Sequence, residues 1–390
     1  MSRIAIVVHA GYPADPRIRR QAEALTRGGH LVDIFCLRGA GQPAEEEADG
    51  LRVIRLPVDR AFTGFVGHMA EYLAFAGMAA VRLAREHRRR RYRLVQVATV
   101  PDFLVFAAAP LKLRGVPLLL DLHEDMPEFF RDRFAAPALR PLLPLVSGVA
   151  KASAAVADEL ITVHEPLRRL AIRRGVPPDK ITVVMNSADP RLFDPSRHPR
   201  RPFMEDGELR LIHHSNLQRI YGLEVLIAAV ARIGDSLPLR ANIYGDGPYR
   251  PQLEEAVART GTSDRVHLNG PVPIEELPAL IAGSDVGTLP TLAEPYLQFS
   301  LSTKLLEYAA MGITIVGSDL ATVRAHFTPE AIRYVPGGDP DALATAIREL
   351  AADPAAAARY GAEAHRQAAD YGWEVQAARY LAIVERLAAR

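Results

Sequence analysis

The chain has 390 residues, of which 49% are apolar, and its 47 lysines and arginines nearly balance its 46 aspartates and glutamates. This length predicts two domains of roughly 200 residues each, and the balanced charge argues against a nucleic-acid binder. Because Cys36 is the only cysteine, an internal disulfide and a zinc site built on several cysteines are both excluded.

The single cysteine is typical of a protein in a reducing compartment, and the amino-terminal segment agrees with that location. The segment MSRIAIVVHAGYP has an apolar run too short for a signal peptide and is predicted to form a first strand instead. No stretch offers the 20 or so uninterrupted apolar residues of a transmembrane helix. We therefore expect a cytoplasmic protein.

Short β-branched runs alternate with helical stretches throughout the first half. A helix is predicted over residues 18–28, where Ile18, Ala22 and Leu25 form one apolar stripe. Strands are predicted at 3–8, 31–37, 51–58, 93–99, 116–124, 159–165 and 180–189. Residues 194–208 are rich in proline and charge, which indicates a linker between domains.

The alternation restarts after this segment. Strands are predicted at 209–216, 239–247, 265–270, 285–291, 313–319 and 331–339. The pattern indicates an α/β protein with two Rossmann-like domains, each a parallel sheet covered by helices on both faces. Residues 1–198 are predicted to form the first domain and 199–373 the second. Parallel sheets bind ligands at the carboxyl ends of their strands, so a ligand is expected in a cleft where the two domains face each other.

Three segments place ionisable residues or glycines at the carboxyl ends of predicted strands. IYGDGPY (243–249) joins a strand to a helix through glycines that allow close approach to a phosphate, although a plain tight turn gives the same pattern. LLLDLHEDMPEFF (118–130) brings Asp121, His123 and Glu124 together, which favours a site over a buried structural histidine. In HAGYPADPRIRRQ (9–21), the arginines serve an anionic ligand or simply face solvent.

A fourth segment, FSLSTKLLEYAAMGITIVGSD (299–319), carries Lys304 and Glu307 on one helix face immediately before a strand. The simplest interpretation is an ion pair of residues three apart on a helix. The alternative is a nucleotide pocket at the carboxyl end of the sheet.

Together these segments resemble retaining glycosyltransferases of family 4, which have the GT-B fold. The resemblance spans both halves and rests on DPRIRR, DLHEDMPE, the 186–189 turn, GDGP and KLLEYAAMG–ITIV in the family's order. The chain is similar to the branch that keeps only the second Glu in a Lys-Leu-x-Glu-Tyr motif.

The resemblance implies that the second domain binds a nucleotide-sugar donor of UDP, GDP or TDP type and the first domain binds the acceptor. It implies that Glu307 holds the ribose hydroxyls, that His123 contacts the donor sugar, and that Gly11 lets the diphosphate approach. The remaining donor-site candidates are Asn216, Arg219, Gly245, Asp246, Gly247, Val272, Ser302, Thr303 and Lys304. The acceptor-site candidates are Tyr12, Arg17 and Glu124.

The chain departs from the family pattern where charge matters most. Phe299 stands where the family has its first, sugar-contacting Glu. The Arg and Lys that usually hold the diphosphate correspond to Asn216 and Tyr221. Losing both cations is costly unless others replace them, which makes Arg219 and Lys304 the candidate replacements.

The implied reaction transfers a hexosyl unit to an acceptor hydroxyl with retention, in polysaccharide, glycolipid or natural-product biosynthesis. In the front-face proposal the leaving diphosphate oxygen takes the acceptor proton, so the enzyme mainly aligns its substrates and stabilises charge. No Asp-x-Asp metal pair is evident, and neither metal nor cofactor is expected. The alternatives are another nucleotide-sugar enzyme, such as an epimerase, and a non-catalytic partner subunit.

The segment Val66–Arg93 predicts a long alanine-rich helix that ends in an arginine cluster. Cations at a helix carboxyl end complement its dipole, so a solvated end accounts for them. Peripheral contact with an anionic membrane at its inner face is the alternative. Finally, residues 374–390 are expected to form a helix that returns to the first domain.

Overall fold

The structure is a computed structural model that describes residues 1–58, 64–134, 136–294 and 296–390. The chain divides into two compact units. Unit 1 comprises Met1–Asn186 together with Glu374–Arg390, and unit 2 comprises Ser187–Trp373. Each is an α/β unit with its own sheet.

Unit 1 contains eight strands and seven helices in its described part. The strands are β1 (Arg3–Gly11), β2 (Leu31–Leu37), β3 (Glu45–Ala48), β4 (Leu51–Leu56), β5 (Leu94–Ala98), β6 (Leu118–Leu122), β7 (Glu159–Thr162) and β8 (Ile181–Val183). The helices are α1 (Pro16–Arg27), α2 (Gly64–Arg90), α3 (Ala109–Lys112), α4 (Met126–Arg133), α5 (Leu143–Val156), α6 (Glu165–Arg173) and, at the carboxyl terminus, α14 (Trp373–Ala388).

The sheet of unit 1 has the strand order β3-β4-β2-β1-β5-β6-β7-β8. All neighbouring strands are parallel except β3, which pairs antiparallel with β4. The central strands are buried on both faces, as parallel sheets require. Helix α1 begins where the Asp15 side chain accepts a hydrogen bond from the Arg17 backbone N–H, and it buries Ile18, Ala22 and Leu25 as predicted.

Unit 2 contains six strands and seven helices in its described part. The strands are β9 (Leu209–His214), β10 (Leu239–Tyr244), β11 (Val266–Asn269), β12 (Val286–Leu289), β13 (Thr314–Ser318) and β14 (Arg333–Val335). The helices are α7 (Leu223–Ile233), α8 (Arg250–Thr260), α9 (Leu277–Ala282), α10 (Thr303–Ala310), α11 (Ala321–Arg324), α12 (Pro340–Ala352) and α13 (Pro354–Ala368).

The sheet of unit 2 is entirely parallel, with the strand order β11-β10-β9-β12-β13-β14. The strand order reverses at β9, which lies between β10 and β12. In sheets of this kind, ligands bind beyond the carboxyl ends of the strands near such a reversal. The loops after β9, β10 and β13 are therefore where a ligand is expected in this unit.

The division between the units lies at residues 186 and 187, earlier than the expected residue 198. The intervening residues belong to unit 2 because Phe193 is buried in the same apolar cluster as Leu306 and Phe327. The proline-rich segment packs there too, since the Met204 backbone N–H donates to the Asp285 carboxylate at 3.1 Å. It is therefore part of a folded unit, although its composition is typical of a linker.

Helix α14 is fixed to unit 1 by buried polar contacts. The Tyr380 hydroxyl donates to Oε1 of Gln96 in β5 at 2.5 Å, and the Met185 backbone N–H donates to Oε1 of Gln376 at 3.0 Å. Among the described residues, no helix combines the length and the apolar character that crossing a bilayer requires.

Candidate functional site

The amino end of α10 opens onto a cavity at the carboxyl end of β13. The cavity has a volume of about 210 Å3, and its walls include Tyr221, Ser302, Lys304 and Ser318. Ser302 is the residue before the first helical turn, yet its hydroxyl does not cap the helix. The buried hydroxyl oxygens of Ser302 and Ser318 have no hydrogen-bond partner among the described residues. The cavity thus holds polar groups available to a ligand.

Lys304 is the cation of this cavity and is only 7% exposed. Its Nζ lies 3.9 Å from the centre of the Tyr221 ring, a cation–π contact. Burial lowers the pKa of Lys304 to about 8, and the nearby carboxylate of Glu307 opposes part of this shift. The simple i, i+3 ion pair is not formed, because the ammonium group rests on an aromatic ring.

Glu307 contacts a histidine that the sequence analysis did not assign to the site. Its Oε2 lies 3.2 Å from Nε2 of His214, at the end of β9. Burial, and after it the charge of Lys304, lowers the pKa of His214 to about 3. The contact therefore joins a neutral imidazole to a carboxylate. The only sequence signal for this role is the position of His214 at the carboxyl end of a predicted strand.

The Gly-Asp-Gly turn after β10 packs tightly against the loop after β9. Gly245 has a φ of +135°, and a Cβ atom there would lie 1.9 Å from the Ser215 carbonyl oxygen. A Cβ atom on Gly247 would lie 2.4 Å from Oδ1 of Asn216. Both glycines are therefore required by backbone packing inside unit 2, whether or not a ligand also approaches. Asp246 is exposed on this turn.

The other donor-site candidates of unit 2 are more scattered. Arg219 is exposed and forms an ion pair with Glu294, so its charge is already matched by a carboxylate. Val272 is partly buried against the apolar cluster that contains Leu306. Thr303 is exposed in the first turn of α10 and lines the cavity, whereas Phe299 is half-buried and does not line it.

Unit 1 has a second cavity, of about 340 Å3, at the carboxyl ends of β1, β5 and β6. His123 lines it, and its Nε2 lies 3.1 Å from Oδ2 of Asp121. Gln21 holds that carboxylate by donating from Nε2 at 2.8 Å. Both ring nitrogens of His123 are buried without a hydrogen-bond partner in the described part of the chain, so the contact with Asp121 is close but is not a hydrogen bond. The ring therefore has nitrogen atoms available to a ligand.

Two of the three predicted acceptor residues line this same cavity, which we call the His123 cavity. Arg17 is held by Asp15, to which it donates from Nε at 3.0 Å and from Nη2 at 2.7 Å. Burial opposes ionisation of Asp15, but the hydrogen bonds and charge of Arg17 outweigh it and lower the pKa of that carboxyl. Glu124 also lines the cavity.

Two predicted residues of the first loop lie elsewhere. Tyr12 does not line the His123 cavity; it is 8% exposed, and burial followed by the charge of Glu23 raises its pKa. Gly11 ends β1, and a Cβ atom there would meet no atom within 4 Å. His9 and Glu71, which were not predicted as site residues, also line this cavity, and their Nε2 and Oε1 atoms lie 3.2 Å apart.

Solved structures with the same architecture identify the class of fold. Sucrose-phosphate synthase from Thermosynechococcus elongatus is 21% identical, with a TM-score of 0.80 and full coverage of both chains. Anabaena HepE, in complex with UDP, is 17% identical, with a TM-score of 0.71 over 98% of this chain and 100% of that one. With two parallel α/β units of this kind, the chain has the GT-B fold of glycosyltransferases.

Sequence profiles then identify the family. Residues 14–187 match the glycosyl transferase 4-like domain, and residues 208–353 match the glycosyl transferases group 1 domain. The chain belongs to the family 4 type of GT-B glycosyltransferases, which confirms the family and the fold class predicted from the sequence.

Characterised relatives share the activity class and differ in their acceptors. A 2-deoxystreptamine N-acetyl-D-glucosaminyltransferase from Streptomyces fradiae is 29% identical over 90% of this chain and 83% of its own. A 2-deoxystreptamine glucosyltransferase from Streptomyces kanamyceticus is 26% identical over 74% and 70%. A D-inositol 3-phosphate glycosyltransferase from Thermobispora bispora is 29% identical over 57% and 55%. The chain is a glycosyltransferase that uses a nucleotide-sugar donor.

Proposed function

We propose that this glycosyltransferase transfers a hexosyl unit, with retention, from a nucleoside diphosphate sugar bound by unit 2 to a hydroxyl of an acceptor bound by unit 1. The observation that carries the proposal is the cavity at the amino end of α10, where Lys304 is buried beside hydroxyl groups with no hydrogen-bond partner among the described residues.

The donor diphosphate is assigned to this cavity on electrostatic grounds. Helix N–H groups at the amino end of α10 favour an anion, and the Lys304 ammonium adds a full charge. Keeping an ammonium group buried over an aromatic ring costs free energy when no anion is bound beside it. A diphosphate would compensate that cost, and Ser302 and Ser318 could donate to its oxygens. In this assignment Lys304 replaces the missing family cations, and Arg219 does not, because Glu294 already pairs with it.

Glu307 is proposed to accept hydrogen bonds from the ribose hydroxyls. A carboxylate is the side chain that suits a vicinal diol, because its two oxygens both accept. The neutral His214 lies beside it, with Nε2 3.2 Å from Oε2, and does not compete for the ligand as a cation would.

The chemistry needs one bond broken and one formed. The bond between the anomeric carbon and the diphosphate oxygen breaks, the acceptor hydroxyl oxygen bonds to that carbon, and its proton passes to the diphosphate. His123 is proposed to contact substrate through its Nδ1.

We also propose that transfer needs no metal, since Lys304 and α10 supply positive charge. Activity that persists after treatment with EDTA is the expected result.

Donor binding is tested first, by thermal unfolding with UDP, GDP, TDP and their common sugars, because a ligand that binds the folded state raises the unfolding temperature. UDP is the first candidate, since the similar HepE structures contain UDP and UDP-glucose. Turnover with an acceptor follows, and the anomeric configuration of the product by NMR decides between retention and inversion. No thermal shift with any nucleotide would contradict the proposal.

A peripheral membrane contact through α2 is a separate proposal. Val66, Leu73 and Val81 are more than half exposed on this helix, and Arg88 and Arg89 are exposed near its end. Apolar and cationic groups together favour an anionic surface. Co-sedimentation with anionic vesicles at low salt is expected, and the double variant Leu73→Ser, Val81→Ser should reduce it. Absence of binding to such vesicles would refute the contact.

A further inference from the structure

A group of polar side chains is buried in unit 1 behind the His123 cavity. Gln96 lies in the middle of β5 and is fully buried, although a parallel strand covered on both faces is ordinarily apolar throughout. Gln21 of α1, Asp121 of β6 and Tyr380 of α14 are buried around it. None of the four is among the described residues that line the cavity. Burying polar groups costs free energy unless they are hydrogen-bonded, so their contacts are informative.

The hydrogen bonds of these four residues, which we call the Tyr380 network, lead towards Asp121. The Tyr380 hydroxyl donates to Oε1 of Gln96 at 2.5 Å. Nε2 of Gln96 donates to Oε1 of Gln21 at 2.7 Å and to Oδ2 of Asp121 at 3.2 Å. Nε2 of Gln21 donates to the same Oδ2 at 2.8 Å. That oxygen also lies 3.1 Å from Nε2 of His123, so the network connects the carboxyl-terminal helix to the residue that is proposed to contact substrate.

Tyr380 determines which way the Gln96 amide faces. Burial, and after it the charge of Asp121, raises the pKa of the Tyr380 hydroxyl well above its usual value, so the hydroxyl remains a donor. A donor opposite Oε1 requires the NH2 group of the amide to face Asp121. Tyr380→Phe would leave Oε1 buried without this donor, and turning the amide to find another partner would withdraw Nε2 from the carboxylate.

The position of the Asp121 carboxylate affects the protonation of His123. A carboxylate oxygen 3.1 Å from Nε2 favours the imidazole tautomer that carries its proton on that nitrogen. Nδ1 is then unprotonated and can accept a hydrogen bond from a substrate hydroxyl. When the carboxylate is displaced, the opposite tautomer becomes accessible, and in that tautomer Nδ1 cannot accept.

We propose that Tyr380 is a positioning residue for sugar transfer, which acts through Gln96 and Asp121 to hold His123 in the tautomer that accepts through Nδ1. The inference rests on the proposed function, in which His123 contacts substrate. Tyr380 is itself fully buried and acts through its hydrogen bond. The carboxyl-terminal helix therefore contributes to the site of unit 1 and not only to its stability.

Tyr380→Phe is the decisive variant, because it removes the hydroxyl and keeps the buried ring. With the donor and acceptor that the wild-type protein turns over, kcat should fall by about three- to tenfold, the effect of one lost hydrogen bond. The donor KM and the UDP-induced thermal shift should be unchanged, since the donor is assigned to unit 2. An unchanged kcat would overturn the inference.

A second readout needs no substrate. Long-range proton–nitrogen NMR spectra, recorded at a pH where the ring is neutral, distinguish the two tautomers of a histidine. The His123 signals are those that disappear in His123→Asn. In the wild-type protein they should show the proton on Nε2, and Tyr380→Phe should increase the population with the proton on Nδ1. A wild-type ring protonated on Nδ1, or the same tautomer ratio in both proteins, would contradict the proposed positioning.

Tyr92→Phe is the matched control. The Tyr92 hydroxyl is also buried in unit 1, where it donates to Oδ2 of Asp33 at 2.6 Å, and it is not part of the Tyr380 network. Both variants should lower the free energy of unfolding, since each removes a hydrogen bond from a buried acceptor. Tyr92→Phe should leave kcat and the His123 signals unchanged. A similar loss of kcat in both variants would attribute the effect to stability and overturn the inference.

Gln96→Leu interrupts the network between Tyr380 and Asp121. It should lower kcat by at least as much as Tyr380→Phe, and adding Tyr380→Phe to it should lower kcat no further, because the two residues act through one path. Independent losses that multiply in the double variant would count against the inference. Tyr380→Phe decides the question alone if the Gln96→Leu protein does not fold.

The proposed function and this inference fail differently. If no nucleotide binds and no nucleotide sugar is turned over, the proposed function fails, whereas the tautomer of His123 can still be measured. If transfer occurs and His123→Asn lowers kcat but Tyr380→Phe does not, only the inference is overturned.

Discussion

Replacing Lys304 with methionine should make the unliganded protein more stable while weakening its binding of a nucleoside diphosphate. Methionine keeps the length of the side chain and removes the charge. The pKa of Lys304 falls from 10.5 to about 8, mainly through burial, which corresponds to about 3 kcal/mol against the charged form in the folded state. The lost cation–π contact with Tyr221 offsets about 1–2 kcal/mol of this.

The expected net gain at pH 7 is therefore about 1–2 kcal/mol, or roughly 4 °C in the unfolding temperature of a domain of this size. The gain depends on pH in a fixed direction. Below about pH 8 the folded wild-type protein holds a charged, buried lysine, and the full cost is present. Between pH 8 and 10.5 the folded state releases its proton before the unfolded state does. Wild-type stability then rises with pH, and the advantage of the variant disappears.

Chemical denaturation at pH 7 and at pH 10, followed by the fluorescence of the only tryptophan and by circular dichroism, measures this difference. Calorimetry with UDP should show an affinity on the order of ten- to a hundredfold weaker for the variant. Lys151→Met, which removes an exposed lysine of unit 1, should change neither quantity. A Lys304→Met protein that is less stable than wild type at pH 7, or one that binds UDP equally well, would refute this assignment.

Four further outcomes follow from the same contacts. Wild-type affinity for UDP should fall as pH rises through 8 and above, because Lys304 then loses the charge that is proposed to bind phosphate; titration calorimetry across pH 7–10 measures this affinity. Glu307→Gln should raise the donor KM by about tenfold, the value of one hydrogen bond to a charged group. If the variant raises KM equally for a donor that contains 2′-deoxyribose, the ribose contact is contradicted. Gly245→Ala should destabilise the protein by roughly 1–3 kcal/mol or more, because the φ of +135° and the Ser215 carbonyl oxygen exclude a Cβ atom there. Gly207 also has a positive φ, but a Cβ atom there would meet no atom within 4 Å. Gly207→Ala should therefore lower the free energy of unfolding by less, as urea denaturation measures. His123→Asn should lower kcat by at least tenfold and leave the UDP-induced thermal shift unchanged; a lost shift would indicate that unit 2 is disturbed.

Most of the parallel core could be predicted because its strands are buried on both faces. Short apolar β-branched runs, such as those of β1 and β13, are typical of strands inside a parallel sheet. The edge strand β3 could not be predicted in this way. Its sequence is Glu-Glu-Glu-Ala and all four residues are exposed. It pairs with β4, and Arg52 and Arg55 of β4 hold Glu45 and Glu46. That pairing is a tertiary effect with no local signal.

The candidate site residues could be predicted where they lie at or near the carboxyl ends of predicted strands. Glu307, Lys304, His123 and Glu124 each line or adjoin a cavity. The pairing of Glu307 with His214 joins residues 93 positions apart along the chain and depends on the neighbouring strands β9 and β12. Tyr12 is buried and does not line the His123 cavity, so adjacency to a loop glycine does not by itself bring a ring into that cavity.

The protonation states of Lys304, His214 and Glu307 depend on one another. Burial and the charge of Lys304 together lower the pKa of His214, so that the imidazole lies beside Glu307 as an uncharged group. Glu307 in turn partly sustains the charge on Lys304. A bound diphosphate would favour the protonated ammonium further, and donor binding above pH 8 should therefore take up a proton. If the donor binds as proposed, the diphosphate gains negative charge beside Lys304 once the sugar leaves. Lys304 would then stabilise the departing diphosphate more strongly than the intact donor, and this difference lowers the barrier instead of only tightening substrate binding.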